Sequence, residues 1–376
     1  MKIKKIPFAQ PVINAKKATS IIKKVFNDNF PNEGKFVNNF EEKISKLLNV
    51  KYVVSATSGT ISIFLALKAL GVKRNDEVIV PNITFPATAN AVKLTGAKLV
   101  LADVNQEDLL INIDDLKKKI TKKTKAIIPV HISGRGGKIK ELIKFAKNKK
   151  IFIIEDAAEA FMSKLGKNYL GTLGDAGCFS FASNKIITTG QGGIIVTNNK
   201  KTYVKIKKLK DQGRQSPTIG GEDYYDSVGY NFKFTNMQGA LGLSQLTDLS
   251  LRIKILKNHY FLYKKYLIKN KYFRLIGFNT SLGELPLWTD AYCSDRNKLF
   301  EYLRQKGANC RYFWLPLNVC KPYKQSFSRL NNSRKLYKKL IWLPSSLDIK
   351  KKDIIRVCKF INKYYLQKLN ENKIKK

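Results

Sequence analysis

From about Lys51 to Thr197 the sequence alternates short, strongly apolar runs with longer amphipathic segments, and that alternation leaves few folds open. The runs are EVIV at 77–80, KLVLAD at 98–103, AIIPVH at 126–131, IFIIED at 151–156, GCFSFA at 177–182 and GIIVT at 193–197. Several are β-branched and bounded by helical or turn residues, as strands are when helices cover both faces of their sheet. They predict an α/β domain, doubly wound around a central, mostly parallel sheet. One core seldom grows past roughly 250 to 300 residues. A chain of 376 residues therefore predicts a second, smaller unit.

The expected division is 1–245 for the large domain, with an amino-terminal arm, and 246–376 for a small α+β domain. TNMQGALGLSQL reads as a helix opened by a capping box, Thr235 with Gln238. It is expected to run on through NHYFLYKKYL as one long connecting helix. Beyond it come LWTDAYC, a helix from Asp295 to Gly307, the strand-like CRYFWLPL and a final amphipathic helix from about Lys352.

Several function classes fall away. No apolar run approaches the ~18 to 20 residues of a membrane span, and the basic amino terminus lacks an apolar core and a cleavage site. A cytoplasmic chain without membrane insertion is expected. The five cysteines are odd in number and contain no CxxC pair, so neither a disulfide framework nor a zinc site is indicated. Two histidines argue against a His-rich metal centre or a Ser-His-Asp apparatus. Any cofactor is expected to be organic, with no metal. The formal charge of +42 invites a nucleic-acid reading. Yet the lysines are spread over nearly every predicted helix and no binding motif accompanies them, which fits solvated faces and no specific nucleic-acid partner. The surplus remains available to steer an anionic substrate.

The chemistry is concentrated in FSFASNKIITTGQGG at 179–193, where Lys185 lies between small residues and a glycine-rich turn, downstream of the strand end at Asp156. A lysine amine that condenses with an aldehyde and a carboxylate that keeps a pyridine nitrogen protonated suit pyridoxal 5'-phosphate. Ser58-Gly59-Thr60 opens a helix whose free amides and positive dipole end favour phosphate. Ser180 offers a hydroxyl, and Phe85 offers a ring for stacking. Taken singly, each has a plainer reading. Asp156 reads as a cap of the helix that follows, Ser180 as a strand-end hydroxyl on local backbone, SGT as an ordinary helix cap and Phe85 as core.

The ordered motifs SATSGTISIFLALKAL, NDEVIVPNITFPATANAV, IIEDAAEA, GDAGCFSFASNKIITTGQGGIIVT and VGYNFKFTNMQGALGLSQL resemble the DegT/DnrJ/EryC1/StrS sugar aminotransferases, of pyridoxal-phosphate fold type I. The likeness is looser through RYFWLPLN and WLPSSLDI. It implies that the amides of Gly59 and Thr60, in the turn begun by Ser58, hold the cofactor phosphate with Ser180. Phe85 would cover the ring, Asp156 would pair with its nitrogen and Lys185 would carry the aldehyde. Asn231, in GYN, would reach the phosphate from the neighbouring subunit of a homodimer with shared active sites. Glu159 stands where many members have Gln beside the cofactor's 3-hydroxyl, a feature that resembles the perosamine-synthase-like branch. Asn318 replaces a family histidine that contacts substrate, and Arg311 and Lys321 are candidates for neutralising a diphosphate.

The implied reaction moves an amino group from glutamate to a nucleotide-linked keto-deoxysugar, a 4-keto-6-deoxyhexose, for surface glycan synthesis. A 3-keto sugar or another cyclic ketone is the alternative within the family. A cofactor-binding regulator is not expected, since no appended helix-turn-helix region is read in the sequence and the lysine is retained. Lysine at position 185, in place of histidine, excludes the related deoxygenating dehydratases.

Overall fold

The computed structural model describes residues 5–215 and 224–374. Its main sheet has seven strands, β1 (Tyr52–Ala56), β2 (Glu77–Pro81), β3 (Lys98–Ala102), β4 (Thr124–Ile127), β5 (Phe152–Asp156), β8 (Ala176–Ser180) and β9 (Gly193–Thr197); the short hairpin β6 (Lys164–Leu165) and β7 (Asn168–Tyr169) lies apart. The order is β1-β9-β8-β5-β4-β2-β3. Neighbours run parallel except that β9 is antiparallel to both β1 and β8.

The apolar runs lack a wet face because the sheet has none. Val53, Ile79, Ile127, Ile153, Phe179 and Ile194 join one core. Their chain neighbours Val54, Val78, Val80, Ala126, Ile154, Cys178 and Ile195 join another on the opposite face, as the alternation of strand side chains requires. The expected α/β architecture is what the chain adopts.

Three details depart from the sequence reading. Strand β1 was not among the expected runs; its YVVSA is short and merges into the small polar residues of the following turn. The run AIIPVH ends as a strand at Ile127, because Pro129 has no amide to donate, and only a single bridge from Val130 to Asp156 continues the pairing. The expected long helix is two, Asn236–Leu246 and Leu249–Tyr266. Thr247 turns its hydroxyl back onto the carbonyl of Ser244, and Asp248 leaves helical geometry at φ −106, ψ 7. The capping box at Thr235 and Gln238 is present.

A second sheet, wholly antiparallel, has the order β10 (Phe273–Leu275), β11 (Thr289–Cys293), β13 (Leu340–Leu343), β12 (Arg311–Tyr312). Helices Leu249–Tyr266, Arg296–Gln305 and Lys351–Ile374 share its core, and Ile6 from the amino-terminal segment is buried in it, bridged to Ala308. The run CRYFWLPL pairs only at Arg311 and Tyr312. Among the described residues no helix is long and apolar enough to cross a membrane.

The two sheets are joined by a buried ion pair. Arg135, 1% exposed, bonds through Nη1 to Asp290 on β11. Its Nε donates to the carbonyl of Gly277 at 2.7 Å and Nη2 to that of Ile276 at 3.0 Å, and its plane lies 3.7 Å from the ring of Phe278. Removing one partner strands the other charge in a dry interior. Arg135→Met or Asp290→Leu alone is expected to cost about 3 to 5 kcal/mol in urea unfolding, and the double variant to lie closer to the wild type than either single change.

Candidate active site

The carboxyl ends of β1, β2, β5 and β8 point to one edge of the main sheet, the edge where open α/β sheets take ligands. A cavity of about 290 Å³ opens there. Its wall brings together Ser58, Gly59, Thr60, Phe85, Asp156, Glu159, Ser180, Lys185 and Arg311. The sequence named these residues from segments that lie far apart along the chain.

Each is placed by local structure. Ser58 caps helix Gly59–Ala69, its hydroxyl accepting from the amide of Ile61 at 3.3 Å. The amides of Gly59 and Thr60, in the first turn, have no acceptor within the helix, as at any helix start. A side chain at Gly59 would put its Cβ 2.9 Å from the Cβ of Ser180, and one at Gly193 would sit 2.5 Å from the carbonyl carbon of Ser58. Glycine at both places lets the helix start press against β8 and β9. Phe85 precedes helix Pro86–Leu94 and is half exposed, its ring 5.8 Å from that of Trp314.

Asp156 ends β5 and is buried. Its Oδ2 accepts from the Thr88 hydroxyl at 2.7 Å and its Oδ1 from the amide of Ala158 at 3.2 Å. Burial pushes its carboxyl up from the ordinary range. The bonds from Thr88 and Ala158 and the charge of Lys185 pull it back, while Glu159 adds to the rise. A desolvated carboxylate of this kind gains most from a cationic partner. The Lys185 amine lies 3.4 Å from Oε1 of Glu159. Glu159 also accepts from the indole of Trp288 at 3.0 Å and, through Oε2, from the amide of Ser133 at 2.9 Å.

Three named residues lie outside the cavity wall. Asn231 is exposed and forms an isolated bridge with Asp211. Lys321 is exposed in the turn Lys321–Tyr323. Asn318 is buried and its side chain is already engaged, accepting from Asn82 Nδ2 at 2.9 Å and donating to the carbonyl of Gln325 at 3.1 Å. The wall also holds residues that the sequence reading did not single out: Phe8, Gln191, Trp288, Trp314 and Trp342. Thr88 is the buried partner of Asp156, three positions after Phe85. One signal was available for the indoles, since all three tryptophans of the chain line this cavity. Among the described residues no group of three or more His, Cys, Asp or Glu side chains is placed to hold a metal ion.

The model of the DegT/DnrJ/EryC1/StrS aminotransferase family matches residues 13–362. The chain belongs to that family. It is 33% identical over 372 residues to the GDP-perosamine synthase of Escherichia coli O157:H7, covering 97% of this chain and 100% of that one. To the UDP-4-amino-4,6-dideoxy-N-acetyl-beta-L-altrosamine transaminase of Campylobacter jejuni it is 31% identical, covering 88% and 90%. The Helicobacter pylori aminotransferase PseC, involved in pseudoaminic acid biosynthesis, superposes with a TM-score of 0.88 at 25% identity over 96% of this chain and 99% of that one. This DegT-family chain is thus a sugar aminotransferase dependent on pyridoxal 5'-phosphate, with fold type I architecture. The cavity fits that cofactor: a lysine amine, a desolvated carboxylate and a helix start packed close by glycine all face it.

Close packing at the helix start makes a test independent of any ligand. Gly59→Ala is expected to lower stability by about 1 to 3 kcal/mol through overpacking against Ser180. Ser180→Gly in the same chain should recover most of that loss in thermal or urea unfolding.

Proposed function

We propose that this aminotransferase moves an amino group from glutamate to the keto carbon of a nucleotide-linked deoxysugar, a 4-keto-6-deoxyhexose, in the cytoplasm and for a surface glycan. The observation that carries the reading of the site is the meeting of Lys185, Asp156 and the Ser58-Gly59-Thr60 helix start in one cavity. The relatives named for perosamine and for an amino-dideoxy sugar support the substrate class.

Bound pyridoxal 5'-phosphate supplies an aldehyde that condenses with amines and a ring that takes up electrons from the substrate carbon. The residues divide the remaining work. The Gly59 and Thr60 amides, in the turn that Ser58 caps, would hold the phosphate with the Ser180 hydroxyl at the positive end of the helix. Asp156 would keep the ring nitrogen charged, Phe85 would cover the ring and Glu159 would serve its 3-hydroxyl. Lys185 would be the amine that holds the cofactor, and its amine would be the group to carry a proton at the substrate carbon. Arg311, on β12 and 5.7 Å from the ring of Trp342, lines the cavity and would be the cation to meet a diphosphate. Lys321 is a second cation for the same role. Asn231 of the partner subunit completes the phosphate site in a homodimer, which accords with its exposure outside its own cavity. The division into domains 1–245 and 246–376 falls beside the helix break at Thr247.

A second reading, a 3-keto sugar or another cyclic ketone, is kept by one observation. Asn318, at the place of a substrate-contacting histidine, spends its side chain on Asn82 and Gln325.

Reconstituted protein is expected to absorb near the visible edge, and borohydride should abolish the band and leave the cofactor on Lys185 in a peptide map. Colourless protein would sink the reading, and turnover of glutamate with a panel of nucleotide-linked 4-keto and 3-keto sugars decides between the two substrates. Thr88→Val removes a bond that favours ionised Asp156, so its carboxyl rises further. Cofactor affinity should fall about tenfold near neutral pH, the worth of a hydrogen bond to a charged group. Because a higher pH restores the ionised form, the deficit should shrink as pH rises in a fluorescence titration.

A further inference from the structure

Glu159 is clamped between a residue beside the second sheet and a turn that follows β4 of the first. Its Oε1 accepts from two donors, the Trp288 indole at 3.0 Å and the Lys185 amine at 3.4 Å, while Oε2 takes the Ser133 amide at 2.9 Å. Both donors besides lysine are locked in turn. Trp288 immediately precedes β11, is buried, and stacks on Phe8 with centroids 5.1 Å apart. Ser133 holds φ 54, ψ 13, a conformation rare for a residue with a side chain. There its carbonyl accepts from the amide of Leu287 at 2.9 Å and its hydroxyl donates to Asp290 at 2.9 Å. Such local strain persists only where the surroundings over-determine it. The indole bond is not forced by burial alone, since the neighbouring Trp342 leaves its indole nitrogen without a hydrogen bond among the described residues.

We infer that Trp288 is a positioning residue: its indole N–H fixes the Glu159 carboxylate so that Oε1 faces the Lys185 amine. The inference rests on the proposed reading of the site. A carboxylate held at both oxygens cannot swing away when the lysine moves, so Trp288 beside β11, together with Ser133 in the turn after β4, sets the position of the carboxylate nearest the Lys185 amine. Trp288→Phe keeps an aromatic ring against Phe8 and removes the donor together with part of the ring.

The test uses the full chain in two forms. Without cofactor, an amide-type spectrum of nitrogen-labelled protein shows the indole signals of the three tryptophans, and Glu159→Gln should move that of Trp288 more than the other two. With pyridoxal phosphate, Trp288→Phe should displace the pH profile of the visible band and slow the first turnover with glutamate about tenfold, as loss of a bond to a charged group does. In a Glu159→Gln background the same change should add less than about twofold, because coupled residues are not additive. Absence of the band in the wild type overturns the reading of the site. A wild-type band with an unmoved Trp288→Phe profile, or a Trp288 indole signal indifferent to Glu159→Gln, overturns this inference alone.

Discussion

The cavity has walls from two sheets, and the contact between Arg135 and Asp290 holds those sheets at one spacing. Lys185, Asp156 and Ser58 belong to the inner wall; Trp288, Trp342 and Arg311 belong to the outer one. Between them, Asp290 accepts from Arg135 and from Ser133, and Ser133 donates its amide to Glu159. A buried ion pair contributes little to stability when compared with an apolar pair of equal volume. What it supplies here is register, because a guanidinium bonded at once to a carboxylate and to backbone carbonyls fits in only one place. The position of Glu159 therefore depends on an interaction that touches neither the lysine nor the cavity.

Neighbouring carboxylates show how the same strand end serves structure and chemistry. Glu155 and Asp156 are consecutive, so the strand sends them to opposite faces. Glu155 is wholly buried and accepts from His131 Nε2 at 2.8 Å and from the amides of Gly171, Leu173 and Gly174. Its charge is saturated and it ties a turn to the sheet. Asp156 has two donors, and burial raises its carboxyl despite them. The difference in saturation, more than burial, marks the second acid as the one with capacity left for a ligand.

What the sequence revealed follows the range of the interactions involved. The strand runs, the capping box at Thr235 and the glycine-flanked Lys185 are local patterns with local causes, and they were legible. Strand β1 was hidden because its five residues shade into a polar turn. The break at Thr247 depends on one hydroxyl turning back on its helix. Thr88 lies 68 positions from the acid it serves, and Trp288 lies 129 from Glu159. No window along the chain contains such pairs. Asn318 illustrates the converse, since a residue that the sequence resemblance put forward for substrate spends its side chain on Asn82 and Gln325.

Composition gains its meaning from the same geometry. The cavity wall carries two acids, Asp156 and Glu159, and two bases, Lys185 and Arg311, so its fixed charges nearly cancel. The excess of +42 therefore resides on the rest of the surface. Under the proposed function a cofactor phosphate would make the cavity more negative, and an anionic substrate would approach it against that charge over the last few ångströms. A distributed positive field acts at longer range, up to about the 8 to 10 Å Debye length at moderate salt. It raises the encounter rate of an anion without selecting one. Selection is left to the wall itself, where indole faces and a single arginine, all carried by or beside the second sheet, meet whatever the first sheet has not already bound.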